Sequence, residues 1–150
     1  MCRRLIDRAN YLEKIMEMLD YFSAQISYSR MPVAEIIASL ADSERFDSLR
    51  FLKQVRDELR AGISFPEAWR TAVTQGKSSI LLGDEDMNRL YALGEYIGTT
   101  DSEEQGKTIA LYLKMFAQSH EKARSESTAH AKMYTTLGVL AGIGLAVLIL

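Results

Sequence analysis

The sequence predicts an all-α fold, a six-helix bundle with a C-terminal transmembrane helix continuing from the last helix. Three observations carry this. Apolar residues recur at spacings of three and four along most of the chain. Only two prolines and nine glycines interrupt 150 residues. No Asn-Gly hairpin signal and no Thr/Val cluster marks a strand.

The first helix is expected over residues 4–29. Leu5, Ala9, Leu12, Ile15, Met16, Leu19, Phe22 and Ile26 form one apolar stripe along it. Arg30-Met31-Pro32 ends it, because the residue before a proline is biased away from helix. A short second helix follows, with Val33, Ile36, Ile37 and Leu40 inward, and ends near Ala41. The third is expected from Glu44 to Ala61, with Phe46, Leu49, Leu52, Val55 and Leu59 inward, and Gly62 supplies its stop.

Ser64 and Glu67 have capping-box spacing, and Pro66 suits a first turn. The fourth helix then carries Ala68, Trp69, Ala72 and Val73 and stops at Gly76. Residues 77–83 read as a loop. Asp84-Glu85-Asp86 opens the fifth helix, with Met87, Leu90, Leu93 and Ile97 inward and Gly98 at its end. Asp101 and Glu104 repeat an N-terminal capping pattern. The sixth helix continues through Ile109, Tyr112, Leu113 and Phe116, and no breaker appears before Lys132.

Beyond Lys132 the character changes. Residues 133–150 read MYTTLGVLAGIGLAVLIL and carry no charged side chain. Wound as a helix, these 18 residues rise about 27 Å, close to the roughly 30 Å hydrocarbon thickness of a bilayer. The run is apolar all round, and a bundle this small cannot wrap it on every side. The expected organisation is therefore a helical bundle over 1–132 and a membrane anchor over 133–150. Lys122, Arg124 and Lys132 precede the anchor, which places the bundle on the cytoplasmic side. The N-terminal residues show no secretory signal.

Composition excludes several classes of function. Hydrophobic residues make up 47% and charged residues 25%, an ordinary globular balance. Lys plus Arg is 18 against 20 for Asp plus Glu, so no broad positive surface is available for nucleic acid. A single cysteine excludes an internal disulfide framework and a cysteine-rich zinc site. Cys2 reads as a free thiol.

No residue set points to catalysis, a metal or a cofactor. Asp84, Glu85 and Asp86 lack the further ligands and the glycine turn of a calcium loop, and they suit the positive end of a helix. His120 and His130 are ten residues apart, about 15 Å along a helix, too far to share a metal. Trp69 reads as core. Tyr11, Tyr28, Tyr91 and Tyr96 are surface candidates for interfaces, and Arg56 and Arg60 are expected on an outer, docking-competent face. Gly138 and Gly142 have the spacing that lets two membrane helices approach closely, a second copy being one partner that would fit.

The order of these features resembles the stage III sporulation protein AB family. The resemblance lies in the run Leu19-Asp20-Tyr21-Phe22 leading to Pro32, and in Glu67-Ala68-Trp69. It lies further in Leu90-Tyr91-Ala92-Leu93-Gly94-Glu95-Tyr96-Ile97-Gly98-Thr99-Thr100-Asp101 followed by Gln105, and in the Leu137–Gly142 run. The family is similar to the cytoplasmic domain of type II secretion F and type IV pilus platform proteins, which are six-helix bundles. The resemblance implies a noncatalytic platform subunit of the channel joining mother cell and forespore. Its partners would be the membrane, other channel subunits and a stage III sporulation protein AA-like ATPase. Family members usually carry a further transmembrane helix ahead of the first amphipathic one, whereas this sequence starts nearly inside that amphipathic helix; either such a span is missing from it, with Arg3 and Arg4 as the cytoplasmic flank, or this member has one span. The rival reading is a tail-anchored helical adaptor outside secretion. Gly94 would serve close helix approach, Gly98 a helix end, and Asp101 and Gln105 the start of the last helix.

Overall fold

The computed structural model describes residues 2–97 and 102–149, with side chains described over 3–97 and 103–129. Among these residues there are six α-helices and no strand. They are α1 (Cys2–Ala24), α2 (Val33–Asp42), α3 (Phe51–Arg60), α4 (Phe65–Gln75), α5 (Asp84–Tyr96) and α6 (Ser102–Ile149). α1 packs along α6, and the shorter helices pair in sequence, α2 with α3, α3 with α4, α4 with α5, and α5 back onto α6. Ile6, Ala9, Asn10 and Glu13 share a groove with His120, Arg124, Ser127 and Thr128, while the end of α1 returns to the start of α6. The two long helices are thus antiparallel.

The apolar stripes face inward. Leu12, Ile15, Met18, Leu19 and Phe22 are fully buried along α1, as are Ile36 and Ile37 of α2 and Leu52 and Val55 of α3. Leu90 and Leu93 of α5 and Ile109 and Phe116 of α6 complete the core around Trp69. The hydrophobic effect requires only that these stripes meet, and the short links between α2 and α5 make sequential neighbours the ones that do.

Three local details differ from the sequence reading. The first helix does not run regularly to residue 29. Its last turn, Gln25–Ser29, widens to a π turn, and Arg30 takes a left-handed conformation with φ 50°. Gln25 O accepts from the Arg30 and Met31 amides, which closes the helix end before Pro32. Pro32 then begins α2, its carbonyl accepting from the Glu35 and Ile36 amides.

The stretch before α3 is not α-helical either. Residues 44–46 form a 3₁₀ turn, and α3 starts only at Phe51. Phe46, Leu49 and Leu52 are all buried at three-residue intervals, which tighter winding with three residues per turn brings onto one side. At α4, the Ser64 hydroxyl makes no capping bond, so the capping box is not closed. The Ser64 carbonyl accepts from the Ala68 amide instead, and Pro66 stands in the first turn. Gly62 has φ 88°, which gives the turn between α3 and α4 its left-handed residue.

Candidate functional site

The family-like residues of α4 and α5 converge on one joint. Trp69 is fully buried, and its Nε1 donates to the Leu90 carbonyl at 2.7 Å. Phe51 meets the indole edge-on at 5.3 Å between centroids, and Phe65 lies at 5.5 Å. Gly94 sits one turn beyond Leu90, directly against the ring. A β-carbon at Gly94 would lie 2.2 Å from Trp69 Cδ1 and 2.6 Å from Cγ. Glycine is therefore what lets α5 approach the indole. Thr74 and Tyr91 share a hydrogen bond of 2.9 Å across the same pair of helices, and Arg70 pairs with Glu95 at the rim.

The acidic start of α5 does more than complement the helix dipole. Asp84 and Glu85 are exposed, but Asp86 turns inward and is 6% exposed. Its Oδ1 accepts from Arg89 Nη1 at 2.7 Å and from Ser119 Oγ at 2.8 Å, and Arg89 also reaches Ser119 at 3.1 Å. This triad ties α5 to α6. Among the described residues no group of His, Cys, Asp and Glu is arranged to hold a metal ion.

A second polar tie joins α1 to the 3₁₀ turn. Partial burial pushes the Glu17 carboxyl up, but Lys14 at 3.2 Å and Arg45 at 3.1 Å outweigh it and hold it below its ordinary value. On α3, Arg56 is not a free surface cation. It pairs with Asp42 of α2 and with Asp57 at 3.1 Å, and its side chain is only 18% exposed. Arg50, just before this helix, and Lys53 and Arg60 on it are exposed and make no ion pair among the described residues.

The tyrosines divide. Tyr28 and Tyr96 are exposed, Tyr91 is half-buried against Thr74, and Tyr11 is buried. Tyr11 is a correction to the surface expectation. Its neighbours Leu12 and Ile15 draw that side of α1 into the core, and burial pushes its phenol above the ordinary range. Its hydroxyl finds no hydrogen-bond partner among the described residues.

A comparison with known protein families matches residues 1–150 to stage III sporulation protein AB. The chain belongs to the stage III sporulation protein AB family. It is thereby a sporulation-associated protein. No curated protein and no solved structure matches it.

Of the positions singled out in the sequence, Trp69, Leu90 and Gly94 meet in one joint. Pro32 opens α2 elsewhere, and Gln105 is buried near the start of α6. Gly98 and Asp101 lie outside the described residues. So do the side-chain surroundings of Gly138 and Gly142 and of the apolar run 133–150. Among the described residues no helix is long and apolar enough to cross a membrane.

Residues that sequence reasoning missed are Ser119 and Arg89, both half-buried, which with the buried Asp86 make a triad. Only the spacing of Asp86 and Arg89, three apart on one helix, was visible as a signal. Their α6 partner lies 33 residues from Asp86.

Proposed function

We propose that the protein is a noncatalytic, membrane-held platform subunit of a sporulation channel between mother cell and forespore, similar to secretion-system F proteins. Its bundle docks a cytosolic secretion-type ATPase of the stage III sporulation protein AA kind, and ATP hydrolysis belongs to that partner. The observation that carries this is α6. One helix of 48 residues packs in the bundle at its beginning and runs to Ile149, through the apolar sequence that starts at Met133. A bundle packed against the beginning of such a helix is held at a fixed height from the helix's far end, which is what a platform requires. Membership of the sporulation family and the six-helix bundle support the same reading.

The docking face assigned by this reading is the outer side of α3. Arg50, Lys53 and Arg60 lie within three turns there as unpaired cations, suited to an acidic partner surface. The test is co-purification of the ATPase with the tagged full chain from membranes of sporulating cells. Recovery is expected from the wild type. The combined Arg50→Glu, Lys53→Glu and Arg60→Glu variant should lower it while leaving helicity unchanged. No recovery with a folded, membrane-bound wild type would overturn the platform reading in favour of a tail-anchored adaptor.

A further inference from the structure

A groove of about 490 Å³ is lined by α1 and α6 alone. Ile6, Asn10 and Glu13 stand on its α1 bank, and Arg124 and Thr128 on its α6 bank. Both banks continue with a seven-residue spacing, which is two helical turns. Ile6, Glu13 and Asp20 follow one side of α1, and Thr128, Glu121 and Lys114 follow one side of α6. All six are exposed. The two helices are antiparallel, so levels along them can be matched. Asp20 lies ten residues beyond Asn10, and Lys114 lies ten residues before Arg124. At 1.5 Å per residue each is about 15 Å further along, at one level.

The banks differ in charge. Glu13 and Asp20 on α1 make no ion pair among the described residues, and neither do Lys114 and Arg124 on α6. Glu121, level with Glu13, is the one acid among these cations. One bank is therefore acidic and the other net basic, and neither neutralises the other within the chain. Further along stand small side chains. Ala24 of α1 and Ala110 of α6 are exposed, and Ala117 is half-buried, so another helix can come close there.

We propose that this side of the bundle is a homodimer interface, with a second copy turned by half a revolution about an axis parallel to α6. That rotation leaves every residue at its own level. It sets the acidic bank of each chain against the basic bank of the other, and each contact occurs twice. Asp20 meets Lys114 of the second copy, and Glu13 reaches its Arg124. The pattern is self-complementary, which is what selects a second copy as the occupant. The strip from Ile6 to Ala24 is about 27 Å long and two helices wide, about 20 Å. Pairing covers roughly 500 Å² per chain and 1,000 Å² in all, the lower edge of a specific interface. The inference goes beyond the platform reading and does not depend on it, because the bundle alone carries the contact.

The experiment uses the full chain in mild detergent with Cys2→Ser. Two differently tagged chains, one with Glu13→Cys and the other with Glu121→Cys, are co-expressed and oxidised. A disulfide should join the two chains, because the rotation brings these positions face to face. Either variant expressed alone should form several-fold less, because like positions lie diagonally across the four helices. Self-association is then read by sedimentation equilibrium. Asp20→Lys should weaken it about tenfold, since the axis repeats the lost pair. Adding Lys114→Asp should restore most of it. Glu121→Lys should strengthen it, and high salt should weaken the wild type.

A monomeric wild type overturns the interface, as does failure of the two chains to join. Self-association that is equal for wild type and Asp20→Lys also overturns it, and is what contact through the run 133–150 alone would give. None of these outcomes touches the platform reading, whose test is recovery of the ATPase.

Discussion

Gly94→Ala is the substitution whose consequence follows most directly from the packing. On an open helix, alanine for glycine stabilises by about 1 kcal/mol. At Gly94 the new methyl would lie 2.2 Å from Trp69 Cδ1, far inside the 3.4 Å at which ordinary contact begins. Either the ring or α5 must move by about 1 Å, and overpacking of this kind costs about 1–3 kcal/mol. The indole is not free to yield. Phe51 and Phe65 hold it on two sides, and moving it strains the 2.7 Å bond from Nε1 to the Leu90 carbonyl. A buried donor left unpaired costs about 1–3 kcal/mol more. The net expectation is a loss of about 2–4 kcal/mol after the helix gain. For a chain of this size that lowers the melting temperature by about 5–15 °C. The assay is thermal unfolding of the full chain in mild detergent, followed by far-UV circular dichroism. Gly106→Ala is the internal control, because nothing lies within 4 Å of its added methyl, and it should stabilise by up to about 1 kcal/mol. If Gly94→Ala behaves like Gly106→Ala, the close approach of α5 to Trp69 is wrong.

Three further expectations concern the polar groups. Arg89→Leu should cost about 2–3 kcal/mol, because it leaves the buried Asp86 carboxylate with only Ser119 as partner. In an Asp86→Asn background the cost should shrink, and a denaturant-unfolding double-mutant cycle reads the coupling. Tyr11→Phe should leave stability unchanged or raise it by up to about 1 kcal/mol, since its buried hydroxyl has no partner to lose; a clear loss in thermal unfolding would mean that the hydroxyl is bonded. For Glu17 the folded value lies below the unfolded one, so its ion pairs contribute fully above about pH 4.3 and are lost as pH falls through the folded value. Arg45→Ala should therefore flatten the fall in stability below about pH 4.3, and an acid titration of unfolding free energy that falls equally steeply for both proteins would exclude this contribution.

The fold was legible because its signals are local and repeated. Each apolar stripe in the sequence reappears as the buried side of a helix, and Gly62 and Pro32 act where their backbone restrictions place them. Less legible were the places where two elements negotiate a boundary. Residues 44–50 have helical spacing, but the demand to bury Phe46, Leu49 and Leu52 together winds them more tightly. Arg56 looked like a surface cation because nothing in α3 alone reveals that Asp42 of the preceding helix stands across from it.

By itself the sequence determined that this chain is helical, which side of most helices is apolar, and where charge ends and an uncharged C-terminal run begins. These are properties of residues within a few turns of each other, and 3.6-residue periodicity encodes them directly. Tertiary structure decided which surfaces remain. It buried Tyr11, closed Asp86 with Arg89 onto Ser119, committed Arg56 to α2, and left Arg3, Arg4, Arg8 and the α3 cations unpaired. The physical reason is that a side chain's partner across the bundle is set by how helices pack, and packing joins residues that lie tens of positions apart.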